Sequence, residues 1–141
     1  MKPSLQKISR KFGHRVSDRF SIPGATISWK PMDQDFFPGE TLPLSDINRY
    51  GLSLLTNTPP KANSYISLRI HLPKKPEKLD LLGKVMYAHL RGPGLTYEYR
   101  VGVALKPFSE NKGDNPPELK QQIEELEQMY GKRLEMIDVE D

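Results

Sequence analysis

Along most of this chain, hydrophobic and polar residues alternate with a period of two, which is the pattern of β-strands with one buried face. The clearest run covers residues 64–72. In it, Ile66, Leu68 and Ile70 fall on one face, and mainly polar residues fall on the other. Similar runs cover residues 25–29, 42–46, 52–55, 79–90 and 95–105. The chain is therefore predicted to be mainly β.

Proline and glycine separate these runs at short intervals. Breaker clusters lie at residues 30–39, 57–60, 73–76 and 91–94. Because short turns join antiparallel neighbours, whereas parallel strands need long crossovers, the strands are predicted to be antiparallel. Five or six such strands followed by one helix predict a small closed barrel with the helix packed at its end.

The predicted helix follows the last strand. Asn115 is placed to cap it, Pro116 suits the first helical position, and Gly131 is a natural stop. An apolar stripe recurs at spacings of four, three and four, at Leu119, Ile123, Leu126 and Tyr130. The stripe is expected to pack on the strands, with contact to a partner protein as the alternative.

The chain has 141 residues, which fit one domain, and its net charge of +3 conceals an uneven distribution. Residues 1–20 hold six basic residues and one acid, whereas residues 110–141 hold ten acids and four bases. Residues 1–14 are interpreted as a flexible basic arm, 15–131 as the barrel domain with its helix, and 132–141 as an acidic tail. A basic start suits an anionic ligand, although both ends are equally consistent with solvated tails.

Composition also excludes several kinds of site. The chain has no cysteine, which rules out disulfides, zinc-thiolate sites and thiol nucleophiles. No apolar run approaches the roughly 20 residues that a membrane-spanning helix needs. The first residues lack the apolar stretch of a signal peptide, so the expected location is the cytoplasm.

Sequence patterns typical of enzymes do not occur. The chain has no Walker-type phosphate loop, no Gly-x-Gly-x-x-Gly motif and no serine in a nucleophile elbow. Its three histidines, His14, His71 and His89, lack the spacing of metal ligands. The protein is therefore not expected to be an enzyme, and no metal and no resident cofactor are expected.

Arg15 and Arg19 stand four residues apart, just before the first predicted strand. Their Cα atoms lie roughly 13 Å apart in an extended chain, but a turn would let both side chains converge on one anion. A guanidinium group can bind a phosphate or the acceptor edge of guanine with two parallel hydrogen bonds, and its flat face can stack on a purine. Such a pair also arises by chance in a basic arm, so alone it indicates little.

The segment from Asp46 to Gly51 joins two predicted strands. Asp46 and Asn48 are two residues apart and are expected to point to the same side. The carboxylate of Asp46 can accept hydrogen bonds from the N1–H and the exocyclic amine of guanine. Gly51 permits a positive φ or a close approach to the backbone. Read alone, the segment is also an ordinary Asx-rich turn.

Taken in order, these two segments resemble the signature of PilZ domains. That family has Arg-x-x-x-Arg before its first strand and (Asp/Asn)-x-Ser-x-x-Gly between its second and third strands. Residues 64–72 resemble its strand that ends in Leu-Pro, residues 82–85 its Gly-x-Val strand, and residues 99–103 the strand before its closing helix. The resemblance covers about residues 10–131.

The resemblance implies a six-stranded antiparallel β-barrel with a C-terminal α-helix, which binds the bacterial second messenger cyclic di-GMP. Arg15 and Arg19 are then expected to clamp guanine and phosphate as the arm wraps over the ligand. Asp46, Asn48 and Gly51 are expected to line the barrel surface beneath it. Three further residues are expected to support this site: His14, Ser17 and Asp18. Without an output domain, the signal is expected to pass to a protein partner as the arm reorders.

Two positions depart from the family pattern. Asn48 stands where the family usually has Ser, and it keeps a donor and an acceptor but is bulkier. His14 stands where an Arg favours a stacked ligand dimer, so one ligand per chain is expected.

Two alternatives remain open at this point. One is a degenerate PilZ domain that binds only a protein partner. The replacement of the usual Ser by Asn48 is compatible with such a loss of nucleotide binding. The other is a small barrel that binds nucleic acid through its basic start. Few aromatic residues are interleaved with the basic residues there, which disfavours nucleic acid.

Overall fold

The computed structural model describes residues 18–140, with side chains described through Gly131. This part of the chain forms six β-strands followed by one α-helix. The elements are β1 (Thr26–Pro31), β2 (Leu42–Ile47), β3 (Gly51–Thr56), β4 (Tyr65–His71), β5 (Lys78–Leu90), β6 (Tyr99–Leu105) and α1 (Pro117–Glu140).

The strands close into a barrel in the order β1-β2-β3-β6-β5-β4, and every neighbouring pair is antiparallel. The period of two explains the closure, because each strand turns one apolar row inward and the barrel leaves no strand edge unpaired. The predicted antiparallel barrel is thereby confirmed. Irregularities in register lie in β2 between Leu44 and Asp46 and in β5 between Val85 and Tyr87.

The core lies inside the barrel and continues beneath the helix. Its fully buried side chains include Ile27, Ile47, Leu52, Leu54, Ile66, Leu68, Ile70, Leu81, Val85, Val101, Val103 and Ile123. On the helix, Ile123 and Leu126 are buried, while Leu119 and Tyr130 are half-buried against the same core. The apolar stripe therefore packs on the barrel, as predicted.

The last strand is shorter than predicted. It begins at Tyr99, whereas the alternation had placed its start near Leu95. The amide of Asn57 donates to the carbonyl of Thr96 at 3.0 Å and accepts from the backbone N–H of Glu98 at 2.9 Å. These bonds hold the chain before β6 as a loop, so an alternating pattern there does not produce a strand.

The predicted helix boundaries were both wrong. The helix begins at Pro117, and the side chain of Asn115 bonds the barrel instead of capping the helix. Its Nδ2 donates to the carbonyls of Leu82 and Lys106 at 3.1 and 2.9 Å, and its Oδ1 accepts from the N–H of Leu82 at 2.8 Å. The helix also passes Gly131 and continues to Glu140, because Gly131 does not adopt the positive φ of a terminating glycine. The predicted domain boundaries at residues 15 and 131 stay predictions.

Within residues 18–140, no helix is both long enough and apolar enough to cross a membrane.

One histidine should make the stability of the fold depend on pH. Within the described part of the chain, Nε2 of His71 is buried without a hydrogen-bond partner. Burial lowers the pKa of His71 below its ordinary value of 6.5, and the charges of Lys78 and Arg69 lower it further, against a smaller opposing effect of Asp80. The folded state therefore binds this proton more weakly than the unfolded state does.

We expect the free energy of unfolding to decrease as the pH falls below about 6.5, and to level off below the folded pKa. Urea unfolding between about pH 8 and about pH 5 measures this effect. The pKa of Asp80 lies below its ordinary value of 3.8, so its carboxylate stays ionised across that range. His71→Gln should flatten the dependence, and an unchanged slope in that variant would contradict the assignment.

Candidate functional site

The turn between β2 and β3 is built around the side chain of Asn48. Its Oδ1 accepts hydrogen bonds from the backbone N–H groups of Tyr50 at 2.8 Å and Gly51 at 2.9 Å. Its own backbone N–H donates to the carbonyl of Gly51 at 2.8 Å. An Asx side chain commonly shapes turns in this way. Asn48 is almost fully buried, so it shapes the turn and does not stand beside Asp46 as an exposed amide.

The segment before β1 reaches this turn through backbone pairing. Phe20 forms an antiparallel bridge with Ile47, and the two backbone N–H groups donate to the opposite carbonyls with N···O distances of 3.0 and 2.9 Å. The Phe20 side chain is buried in the core, and the hydroxyl of Ser21 donates to the carbonyl of Ser45 at 2.9 Å. These contacts fix the backbone on both sides of residue 20. They place Arg19 directly beside Asp46.

The carboxylate of Asp46 is the meeting point of three side chains. Its Oδ1 accepts from Nη1 of Arg19 at 3.3 Å and from the hydroxyl of Ser53 at 2.8 Å. Its Oδ2 accepts from Nη2 of Arg100 at 2.9 Å. Two guanidinium groups and one carboxylate leave a net positive charge at this point of the surface. Such a point attracts an anion and also presents hydrogen-bond acceptors.

Gly51 lets Arg19 lie against the barrel wall. A Cβ atom at this position would lie 2.7 Å from Nη2 of Arg19 and 2.8 Å from the carbonyl oxygen of Val103. Gly51 does not have a positive φ. Of the two reasons that the sequence suggested for glycine here, close approach is therefore the one that applies.

A row of residues crosses four strands from this carboxylate. Asp46 pairs with Ser53, Ser53 with Gly102, and Gly102 with Tyr87. The Tyr87 ring lies over Gly102, where a Cβ would overlap the ring. The ring of His89 stacks on it with centroids 4.4 Å apart. At about 4.8 Å per strand, roughly 14 Å separate the backbones of Asp46 and Tyr87, so charged and aromatic groups share one outer face.

The structure brings together Arg19, Asp46 and Gly51, three of the five predicted ligand residues. Asn48 shapes the turn beside them, and Asp18 is exposed at the start of the described chain. Three predicted residues lie outside the described residues: His14, Arg15 and Ser17.

Sequence reasoning missed Ser53, Tyr87 and Arg100. Each lies in a predicted strand, and Arg100 falls on the polar face of its alternation. Their proximity to Asp46 depends on which strands pair and in which register. The alternating pattern of a single strand carries no information about its partner strands or its register.

This arrangement is suited to binding. It combines two guanidinium groups, a carboxylate with partly open access and a flat aromatic surface, which suit a ligand with phosphate groups and planar bases. Across residues 18–131, no group of three or more His, Cys, Asp or Glu side chains is placed to hold a metal ion.

No protein-family model matches this chain, and no curated protein matches it. Among solved structures, it is similar to the PilZ domain with c-di-GMP of YcgR from Escherichia coli, with a TM-score of 0.60, 11% identity, and coverage of 86% of this chain and 95% of that one. It is also similar to the Bacillus subtilis inhibitor of motility, MotI/DgrA, with a TM-score of 0.50, 9% identity, and coverage of 75% of this chain and 46% of that one. At these identities the likeness concerns the fold, and it confirms the predicted barrel.

Proposed function

We propose that this chain, which has the PilZ-type fold, is a receptor for cyclic di-GMP that passes its signal to a protein partner. The observation that carries the proposal is the guanidinium of Arg19, which lies over Gly51 and beside the carboxylate of Asp46. These residues belong to two motifs that are 27 residues apart in sequence. A solved structure of similar fold is that of a PilZ domain with c-di-GMP.

Each group has a matching part in the ligand. The carboxylate of Asp46 can accept from the N1–H and the exocyclic amine of a guanine. Arg19 can donate two parallel hydrogen bonds to a phosphate or to the O6 and N7 atoms of guanine. The stacked rings of Tyr87 and His89 offer an aromatic surface against which a base can pack.

The pair of Arg19 with Asp46 is suited to exchange with a ligand. Its 3.3 Å distance is long for a charged hydrogen bond, and the Arg19 side chain is 36% exposed. Exposed pairs of this kind contribute little to stability, about 0–1 kcal/mol. Arg19 can therefore turn to a phosphate at small cost, while Arg100 continues to pair with Asp46 at 2.9 Å.

The remaining parts of the proposal rest on the resemblance to PilZ domains. Arg15 would supply the second guanidinium, His14, Ser17 and Asp18 would support it, and one ligand would bind per chain. Reordering of the arm would change contacts with the partner. Because cyclic di-GMP is an intracellular messenger, the cytoplasm is the proposed site of action, and no catalytic role is proposed.

Isothermal titration calorimetry with cyclic di-GMP tests the proposal. We expect saturable binding to the folded chain and much weaker binding of cyclic di-AMP, because adenine lacks the N1–H and exocyclic-amine pattern that Asp46 would recognise. No heat from a folded sample would overturn the receptor function and favour a barrel that binds only a protein. Tight binding of oligonucleotides with a steep salt dependence would favour a nucleic-acid protein instead.

Gly51→Ala tests the close approach directly. The added methyl group would meet both Arg19 and the fixed carbonyl of Val103, so Arg19 must move and the barrel must strain. We expect a loss of about 1–3 kcal/mol of stability and about tenfold weaker cyclic di-GMP binding. Gly39→Ala is the matched control, because a Cβ there meets nothing within 4 Å. Equal binding by both variants would contradict this role of Gly51.

A further inference from the structure

A second concave surface lies next to the turn between β2 and β3. Its cavity, of about 310 Å³, has an apolar part of its lining, here called the floor, that consists of Leu105, Pro107 and Phe108. These residues end β6 and begin the connection to the helix. We call this surface the basic cavity because of the side chains on its rim.

The rim of the basic cavity carries only positive charge. Arg49, Lys106 and Lys120 line it, and none of its lining residues is acidic. Lys120 is exposed on the helix, and the ammonium group of Lys106 lies 5.3 Å from the ring centre of Tyr65. Arg49 pairs with Glu124 at 3.2 Å, and Glu124 itself is not part of the lining. The rim therefore favours an acidic occupant, which can also compete with Glu124 for Arg49.

The basic cavity is joined to the candidate ligand site through one turn. Tyr50, a residue that is 60% exposed, lines the cavity, and its backbone N–H donates to Oδ1 of Asn48. Its carbonyl accepts from the N–H of Leu105, in the cavity floor, at 2.9 Å. The next residue is Gly51, against which Arg19 lies. A shift of this turn would therefore change both surfaces.

We propose that the basic cavity binds an acidic segment of a partner protein that inserts one apolar side chain into the floor. A concave apolar floor with a rim of one charge is the arrangement of a small protein interface, in which an anchor residue supplies affinity and the charges supply orientation and association rate. A nucleic acid would instead require a groove that follows its backbone with successive stacking surfaces.

The position of the basic cavity also assigns it a regulatory role, which rests on the proposed function. Cyclic di-GMP at Arg19, Asp46 and Gly51 would alter the turn that carries Arg49 and Tyr50. Coupling between two sites is reciprocal, so the acidic segment would change the affinity for cyclic di-GMP by the same factor.

Nuclear magnetic resonance on the full ¹⁵N-labelled chain provides the test. The probe is a synthetic peptide with one phenylalanine flanked by glutamates, and the control peptide has lysines in their place. We expect the acidic peptide alone to shift the backbone amides of Leu105, Lys106, Phe108 and Lys120. Shifts centred elsewhere, or equal shifts with the lysine peptide, would overturn the proposal. A uridine oligonucleotide that binds the same amides more tightly than the peptide would also overturn it, in favour of nucleic acid.

Charge reversal on the rim separates a specific site from general attraction. The double variant Lys106→Glu with Lys120→Glu should bind the acidic peptide about tenfold more weakly. Lys75→Glu is the control, since it reverses an exposed charge beside the same helix but lines a different cavity. If both variants lose affinity equally, the basic cavity is not the binding site.

Repeating the titration with saturating cyclic di-GMP tests the coupling. We expect a several-fold change in peptide affinity in the wild-type chain. If cyclic di-GMP itself fails to bind, the proposed receptor function is overturned. The peptide titration then still tests whether the basic cavity binds an acidic segment. If both ligands bind without affecting each other, the regulatory role is overturned and the binding surface stands.

Discussion

Replacing Arg19 with alanine is expected to weaken cyclic di-GMP binding by about 2–5 kcal/mol, because the change removes a charged contact to the ligand. This corresponds to a rise in Kd of roughly thirtyfold to several thousandfold. The fold should tolerate the change, since the Arg19 side chain is 36% exposed and its pair with Asp46 is long. Calorimetry measures the affinity, and thermal unfolding of the same samples measures the stability.

Arg69→Ala is the matched control for this experiment. Arg69 has a similar exposure of 35% and also pairs with an aspartate, Asp80, at 2.7 Å. It lies on β4, which is opposite β3 in the strand order of the barrel. We expect Arg69→Ala to bind cyclic di-GMP like the wild-type chain. Unchanged affinity in Arg19→Ala would exclude Arg19 from the site. Arg15→Ala is expected to weaken cyclic di-GMP binding to a similar extent as Arg19→Ala.

Asp46→Ala is expected to lower both stability and cyclic di-GMP binding. The Asp46 side chain is only 22% exposed, and it accepts from Ser53, Arg19 and Arg100. Both arginines are exposed enough to regain water, but Ser53 is fully buried and would lose its acceptor. Leaving a buried donor without a partner costs about 1–3 kcal/mol, which denaturant unfolding will detect.

A double-mutant cycle isolates the cause of that loss. Ser53→Ala removes the donor itself, so it should restore part of the stability of Asp46→Ala. It should not restore cyclic di-GMP binding, because the carboxylate that would receive guanine is still missing. Simple additivity of the two stability changes would show that the bond between Ser53 and Asp46 does not explain the loss.

The role of Asn48 in shaping the turn between β2 and β3 follows from both its local chemistry and its burial. Its sequence position, between two strands and three residues before a glycine, correctly indicates a turn. The two hydrogen bonds that its Oδ1 accepts from the turn backbone need only an acceptor on a short side chain. Serine, the usual residue of the resembled family, also supplies one. The departure at position 48 is therefore compatible with an intact turn.

The sequence by itself determined the strands, their antiparallel arrangement and the helix that packs on the barrel. A buried face imposes a period of two on a strand and about 3.6 on a helix, and both periods are visible in local residue order. Proline and glycine clusters mark most of the connections between elements, and these clusters are likewise visible in local residue order. The two motifs also indicated Arg19, Asp46 and Gly51 by their order along the chain.

Only the tertiary structure decided what surrounds Asp46. Ser53 and Arg100 meet its carboxylate, and Tyr87 completes the row, because β2, β3, β6 and β5 pair in one particular register. A shift of one residue in a strand would turn each of its side chains to the other face, yet it would leave the alternation unchanged. The start of the helix was likewise set by distant contacts, since Asn115 bonds Leu82 and Lys106 rather than the helix. Local periodicity determines which face of a strand is buried, whereas the neighbours of a side chain depend on pairing between residues far apart in sequence.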